Sequence, residues 1–298
     1  MHFEPLVLLV LVATALAWSS FDLVRKLLLG TVSPVPLVFL LTALQTPLFA
    51  LWNAATGGPW VPGAGYWLPG LLSVALNIVA NVLFVVAIRV SPLSLTVPLL
   101  SFTPVFTTLL AVPILGEVPG PHQVVGITLV VIGAFALHVV PSGGGVGGPR
   151  PIEVWRAFRR ERGAVMMAAV ALMWSITPPL DKLAIGAASS PFHGMVLSGG
   201  VAIGLGILLL AQGRMHEVAT VRERPLLMLG ALAASAIALA LQLVAIRLVF
   251  VSLVETVKRG LGNGLAVGMG AVIFHEKVGR WQWVAVVLMG AGVAMILL

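Results

Sequence analysis

The side chains best suited to chemistry fall in the middle of an apolar run. Ser252–Leu253–Val254–Glu255–Thr256–Val257–Lys258–Arg259 sets a carboxylate three and four residues before two cations. On a helix that spacing brings Glu255, Lys258 and Arg259 to one face. Two readings stay open. The three groups neutralise one another so that a helix can enter hydrocarbon, or a cationic pair held by Glu255 lines a cavity and recognises an anionic group. Two cations exceed one carboxylate, and a charge at membrane depth costs about 2.5–3.5 kcal/mol. The excess charge therefore favours a cavity in which an anionic partner can bind.

Other polar groups inside apolar stretches are few. Asn77 and Asn81 lie one helical turn apart, and Gln45 and Gln242 sit singly; such amides either join helices or contact a bound solute. Trp18 and Trp174, each followed by serine, fall deep in their runs, where they pack a core or wall a cavity. Lys26 and Lys182 lie near run ends, close to Asp22 and Asp181, where lysines snorkel to the interface. Enzyme chemistry finds no footing. There is no H-E-x-x-H, no cysteine, and the histidines are dispersed; His193 and Ser198 do not make a dyad. No metal site and no cofactor is expected.

Composition decides the solvent. Hydrophobic residues make up 59% of the 298, charged residues 9%, and mean hydropathy is +1.10. A soluble domain carries about 25% charged residues, so this chain belongs in lipid. The net charge of +7 does not point to nucleic acid, because Lys and Arg are scattered at the ends of apolar runs, as membrane topology requires.

Ten apolar runs long enough to span a bilayer as helix follow: approximately 5–29, 35–55, 67–89, 92–115 and 122–140, then 164–183, 192–212, 225–247, 249–274 and 280–298. The first is read as a retained span. Ala15–Leu16–Ala17 resembles a signal-peptidase site, but no Lys or Arg precedes it. Between the fifth and sixth runs, Pro141–Pro151 is a Gly-rich linker, and Ile152–Arg162 mixes Trp155 and Phe158 with arginines, as a helix lying on an anionic surface would. Pro98, Pro104 and Pro113 in span four and Pro178–Pro179 in span six predict discontinuous helices that free backbone carbonyls. Gly260, Gly264 and Gly268, and Gly200 with Gly204, predict close helix packing.

The two sets of five repeat each other. Ala15–Ser19 (ALAWS) meets Ala171–Ser175 (ALMWS) at an offset of 156, which also carries Lys26 onto Lys182; after small insertions, Gln123 and Gly133 meet Gln282 and Gly292. An odd number of spans per copy turns the second copy upside down. Inverted repeats of this kind characterise secondary transporters, with the solute site between the halves.

The residues also resemble a known family. Ser91–Pro92, Thr103–Pro104 and Pro113–Ile114–Leu115–Gly116–Glu117, followed by Gln123 and Gly126, are similar to the EamA module of the drug/metabolite transporter superfamily. Lys258–Arg259 through Ile273–Phe274–His275–Glu276 to Gly290 and Gly292 resembles the same module again. Val257–Lys258–Arg259 is similar to the Lys-Arg segment with which plastid triose-phosphate translocators bind phosphate. The resemblance implies an all-α, ten-span protein of the inner (cytoplasmic) membrane with repeats at 1–140 and 164–298 joined by a 141–163 linker. It also implies alternating-access transport, by export, of a small polar, amino-acid-like metabolite, driven by proton coupling or exchange. An exchanger of phosphorylated or other organic anions is the alternative, and a lipid-translocating protein a further one. The expected site comprises Lys258, Arg259, Glu255, Asn77, Asn81, Trp18, Trp174 and Gln242, in a monomer or homodimer bound to the lipid bilayer with no nucleic-acid partner.

Orientation is testable. Arg25, Lys26, Arg89, Arg150–Arg162, Arg214, Arg222, Arg224, Lys277 and Arg280 fall on one side, against Lys182 and Arg247 on the other. The basic side is cytoplasmic by the positive-inside rule, which puts both termini outside, opposite to the cytoplasmic termini of well-described ten-helix relatives. A phosphatase fused at the C-terminus should be active and a green fluorescent reporter there dark; the reverse would restore the usual family orientation.

Overall fold

The computed structural model describes residues 4–28, 32–91, 97–139, 162–273 and 278–297. Ten α-helices are present among them: α1 (Pro5–Leu28), α2 (Pro34–Ala55), α3 (Trp67–Val90), α4 (Thr103–Leu115), α5 (Pro121–Val139), α6 (Arg162–Gly186), α7 (Ser190–Ala211), α8 (Pro225–Leu248), α9 (Val251–Ile273) and α10 (Arg280–Leu297). Short 3-10 segments occupy Ala64–Tyr66, Val97–Phe102 and Met215–Glu223. The Gly-rich linker, the expected surface helix 152–162 up to residue 161, residues 274–277 and the Lys26 side chain lie outside the described residues.

Local chemistry sets the helix ends. Pro34, Pro191 and Pro225 stand in the first turn, where a missing N–H costs nothing. Gly116 ends α4 with φ 70°, a conformation that an L side chain resists. The matched glutamines act alike at the two repeats' last helices. Gln123 Oε1 accepts from Gly120 N (2.9 Å) and Gln282 Oε1 from Gly279 N (2.7 Å), so each satisfies a donor left over at a helix start. In the turn after α7, Arg214 grips Glu217 with two hydrogen bonds (2.6 and 2.8 Å), and the guanidinium pushes that exposed carboxyl down to about 2.

Span four departs from expectation in length. Its α-helix begins only at Thr103, with 97–102 wound as 3-10, because Pro98 and Pro104 withdraw the donors that an α-helix needs there. Span six departs in the other sense: α6 runs unbroken through Pro178–Pro179 to Gly186. Pro178 strips Trp174 O of its helical donor, and the Thr177 hydroxyl reaches it instead at 3.4 Å. Seven helices are long and apolar enough to span a bilayer by themselves. The other three are the shorter α4 and α5, and α9, which carries the Glu255–Lys258–Arg259 cluster.

The helices pack mainly across the halves. α1 lies on α8 as α6 lies on α3, and α1 meets α9 as α6 meets α4; α2 pairs with α7 and α5 with α10. Exchanging the halves leaves this pattern unchanged, which is a two-fold relation between two five-helix repeats. With five helices in each, equivalent helices run in opposite directions, and the second repeat is inverted. Outward faces carry bare apolar side chains such as Leu51, Leu68 and Leu226, the surface that lipid requires.

Glycine permits the tightest of these crossings. A Cβ on Gly126 would fall 2.6 Å from Gly292 O, and one on Gly292 would fall 2.6 Å from Gly126 O, so α5 and α10 meet backbone to backbone. Gly200 and Gly204 likewise seat Val74 and Ile78 of α3 against α7, and Gly260 seats Val293. Gly268 meets nothing within 4 Å, so the expected ridge packs at its first position and opens toward its end. Gly126→Ala should therefore cost about 1–3 kcal/mol through overpacking, read as a fall in Tm of the purified protein, while Gly268→Ala should leave Tm unchanged.

Candidate functional site

Helices α1–α4 and their counterparts α6–α9 surround a cavity of about 570 Å³ between the halves; α5 and α10 stay outside it. That volume suits a small organic solute. Trp18, Asn77, Asn81, Trp174, Gln242, Glu255, Lys258 and Arg259 all line it, so the structure gathers every sequence-predicted site residue into one space.

Their roles within it differ. Lys258 Nζ donates to Glu255 Oε1 (2.6 Å) and Gln242 Oε1 (3.0 Å) and lies 5.2 Å from the Trp18 ring, a cation–π contact. Arg259, one residue on, makes no hydrogen bond or ion pair with any described residue. The cationic pair thus divides into a lysine held by hydrogen bonds and an arginine that has only the longer-range attraction of Glu255 and Asp22. Two further cavity donors are buried without a partner among the described residues: Trp18 Nε1 and Asn263 Nδ2. Asn263 follows Arg259 by four residues, so both lie on one face of α9.

Helix α3 offers acceptors to the same cavity. Asn81 and Asn77 donate into their own helix, to Asn77 O (2.8 Å) and Ser73 O (3.0 Å), rather than across helices. No donor of the described residues reaches their side-chain carbonyls. Trp174 stacks on Phe84 at 5.6 Å. Gln45 bridges α2 to α8 through Ser235 Oγ (2.6 Å), the interhelical role open to it in sequence.

Several cavity groups were not predicted. Asp22 and Arg25 form a salt bridge (2.8 Å) at the rim, with side chains 57% and 36% exposed, and they mark where the cavity opens. Asp181 also lines it, backed by buried His193, Tyr66 and Ser73. Its presence inside an apolar span was the signal available in sequence, masked by its neighbour Lys182. With Asp22 and Asp181 counted, three carboxylates face Arg25, Lys258 and Arg259, and the lining charge balances. The excess positive charge expected from α9 alone is offset by other helices.

The far end is closed. Lys182 does not snorkel: Nζ donates to Glu117 Oε1 (2.5 Å) and Val249 O (2.8 Å), and Glu117 Oε2 accepts from Val251 N (2.8 Å). This clamp ties the end of α4 to α6 and to the α8–α9 turn. Beside it, Ser189 Oγ donates to Asn53 Oδ1 (3.0 Å) and Gly63 N to Ala187 O (2.8 Å).

The split between Lys258 and Arg259 has a measurable consequence. Lys258→Ala strands the Glu255 carboxylate, 4% exposed, and breaking a buried pair costs about 3–5 kcal/mol. The low end applies here, because Lys258 keeps 19% of its surface on the cavity. Arg259→Gln strands nothing. Melting curves should show a clear loss for the first variant and a near-native Tm for the second.

Comparison with known proteins agrees with this architecture. A solved crystal structure, titled only as that of a protein, superposes with a TM-score of 0.71 at 16% identity, covering 98% of this chain and 96% of its own, which is a likeness of fold. No curated protein matches. The EamA-like transporter family matches twice, over residues 5–138 and 161–298, one match to each five-helix half. With both halves matched, the chain belongs to the EamA-like transporter family, a multi-pass membrane transporter of small solutes.

Proposed function

We propose that this protein carries a small zwitterionic, amino-acid-like solute across the cytoplasmic membrane by alternating access. The observation that carries the reading is the division of unsatisfied groups around the cavity. Arg259, Trp18 Nε1 and Asn263 Nδ2 offer donors on α1 and α9, where a carboxylate would bind. Asn77, Asn81 and Asp181 offer acceptors on α3 and α6, where an ammonium would bind. A buried donor left unpaired costs about 1–3 kcal/mol, so a solute that satisfies Trp18 Nε1 and Asn263 Nδ2 gains affinity from the penalty it removes.

The charge balance weighs against a phosphate ester. A dianion would need two available cations, and Lys258 is already held by Glu255 and Gln242. Only the matched Lys-Arg pair itself favours that second reading. Access supports export. The cavity opens at the Asp22–Arg25 rim, the basic end that the positive-inside rule assigns to the cytoplasm. The clamp at Glu117–Lys182 seals the other end, so solute loads from inside and leaves by export when the clamp opens.

Purified protein in liposomes, assayed with a radiolabelled amino-acid mixture and separately with sugar phosphates, tests this. The mixture should move and the phosphates should not. Arg259→Gln should reduce the flux at least tenfold, equal to about 1.4 kcal/mol of lost binding. Flux of phosphates alone would establish the second reading, and unchanged flux in Arg259→Gln would remove Arg259 from the site.

A further inference from the structure

One buried cluster takes no part in the solute contacts above except through a single oxygen. Asp181 on α6, Ser73 on α3, His193 in the first turn of α7 and Tyr66 just before α3 are 3%, 0%, 0% and 0% exposed. Ser73 Oγ donates to Asp181 Oδ1, His193 Nε2 lies 3.0 Å from the same oxygen, and His193 Nδ1 lies 3.1 Å from Tyr66 Oη. One assignment satisfies every buried hydrogen: Tyr66 O–H donates to Nδ1, and Nε2–H of a neutral imidazole donates to an ionised Asp181. Both bonds to Asp181 land on Oδ1. Oδ2 receives none from the described residues, and Asp181 forms part of the cavity wall.

A carboxylate in this position has two candidate partners, a proton or the cationic group of a solute. We infer that Asp181, backed by His193 and Tyr66, is the proton-binding site at which the cavity exchanges one proton for the ammonium of its solute. The inference rests on the zwitterion reading above and adds its coupling ion. Without solute, Oδ2 takes a proton from cavity water and the cluster goes from one negative charge to none. An arriving ammonium restores the carboxylate and releases that proton to the cavity, so charge and protons balance over the cycle. The relay holds the carboxyl in place in both states, since Tyr66 Oη donates to His193 Nδ1 and His193 Nε2–H donates to Asp181 Oδ1. Such a site gives antiport, because one carboxylate cannot hold both partners.

Charged groups facing it are accounted for element by element. Lys182, next in sequence, is committed to Glu117. From α9, Glu255 and Lys258 are paired with each other and Arg259 lies across the same cavity. From α1 come Asp22 and Arg25, paired at the rim. From α3 and α8 the lining presents only uncharged Asn77, Asn81, Ser235 and Gln242. Glu255, the other buried carboxylate of the cavity, is already paired with Lys258 at 2.6 Å.

Infrared difference spectra of the purified full chain without solute, between alkaline and acidic pH, test the proton site directly. A carboxyl band should appear on acidification, vanish in Asp181→Asn and survive Glu255→Gln. Tyr66 is the only tyrosine in the chain. A tyrosine ring band should therefore shift with the carboxyl band, and Tyr66→Phe should remove that shift while keeping the ring packed. In liposomes with the radiolabelled amino-acid mixture, His193→Gln should retain exchange at equal pH, whereas Asp181→Asn, which removes the carboxylate that receives the ammonium, should lower it. Both should lose the stimulation that an imposed pH gradient gives the native protein. A band that persists in Asp181→Asn, or disappears in Glu255→Gln, overturns the assignment. If the native protein moves no amino acid, the solute reading fails, and the infrared result still decides whether Asp181 binds the proton.

Discussion

A charged side chain held in hydrocarbon must find an opposite charge, a hydrogen-bond network or water, and this protein is organised around meeting that requirement. Among the described residues, Glu117, Asp181 and Glu255 are buried between helices. Glu255 takes Lys258, Glu117 takes Lys182, and Asp181 takes His193 and Ser73. Each pair ties different helices together or rigidifies the wall of the cavity. α9 illustrates the rule most directly: its charges keep it from being apolar enough to span a bilayer alone, so it needs the neighbours that supply Gln242 and the Trp18 ring.

Interlocking of the repeats follows from the same requirement. Each half, folded alone, would turn its polar faces of α1 or α6 outward to lipid. Crossing α1 onto α8 and α6 onto α3 buries those faces against the other copy and leaves a polar space where the copies meet. The cavity is a property of the pair of repeats, which is why equivalent helices from both copies line it and why α5 and α10, packed glycine to glycine, stand aside. The two ends of this space are chemically unlike. One is sealed by a clamp of ion pair and backbone hydrogen bonds, the other ends in an exposed salt bridge. The two ends of a two-fold arrangement are thus held by different chemistry.

Much of this was legible beforehand. Ten helices, their approximate limits, the duplication and all eight proposed lining residues came from apolar run length, repeated tryptophan and lysine positions, and the rarity of polar residues at depth. Those signals are strong because hydrocarbon excludes polarity so severely that each exception is informative. Proline misled in α6 and informed in α4. A proline removes one donor wherever it stands, but whether the helix breaks depends on what else can satisfy the freed carbonyl, and in α6 Thr177 lies within reach.

By itself the sequence determined the solvent, the ten helices, the inverted pairing of the halves and the place of α9 in the cavity wall, since all of these depend on composition and period along the chain. Only the tertiary structure decided which charges are committed. Lys258 and Arg259 are neighbours in sequence, yet one is bound by Glu255 and Gln242 and the other makes no hydrogen bond or close ion pair with any described residue. Likewise Lys182 closes an end instead of reaching for the interface, and His193 meets Asp181 and Tyr66, residues 12 and 127 positions away in the chain. Partnership between charges is settled by distance in three dimensions, and helical periodicity fixes a residue's face without saying which helix will lie against it.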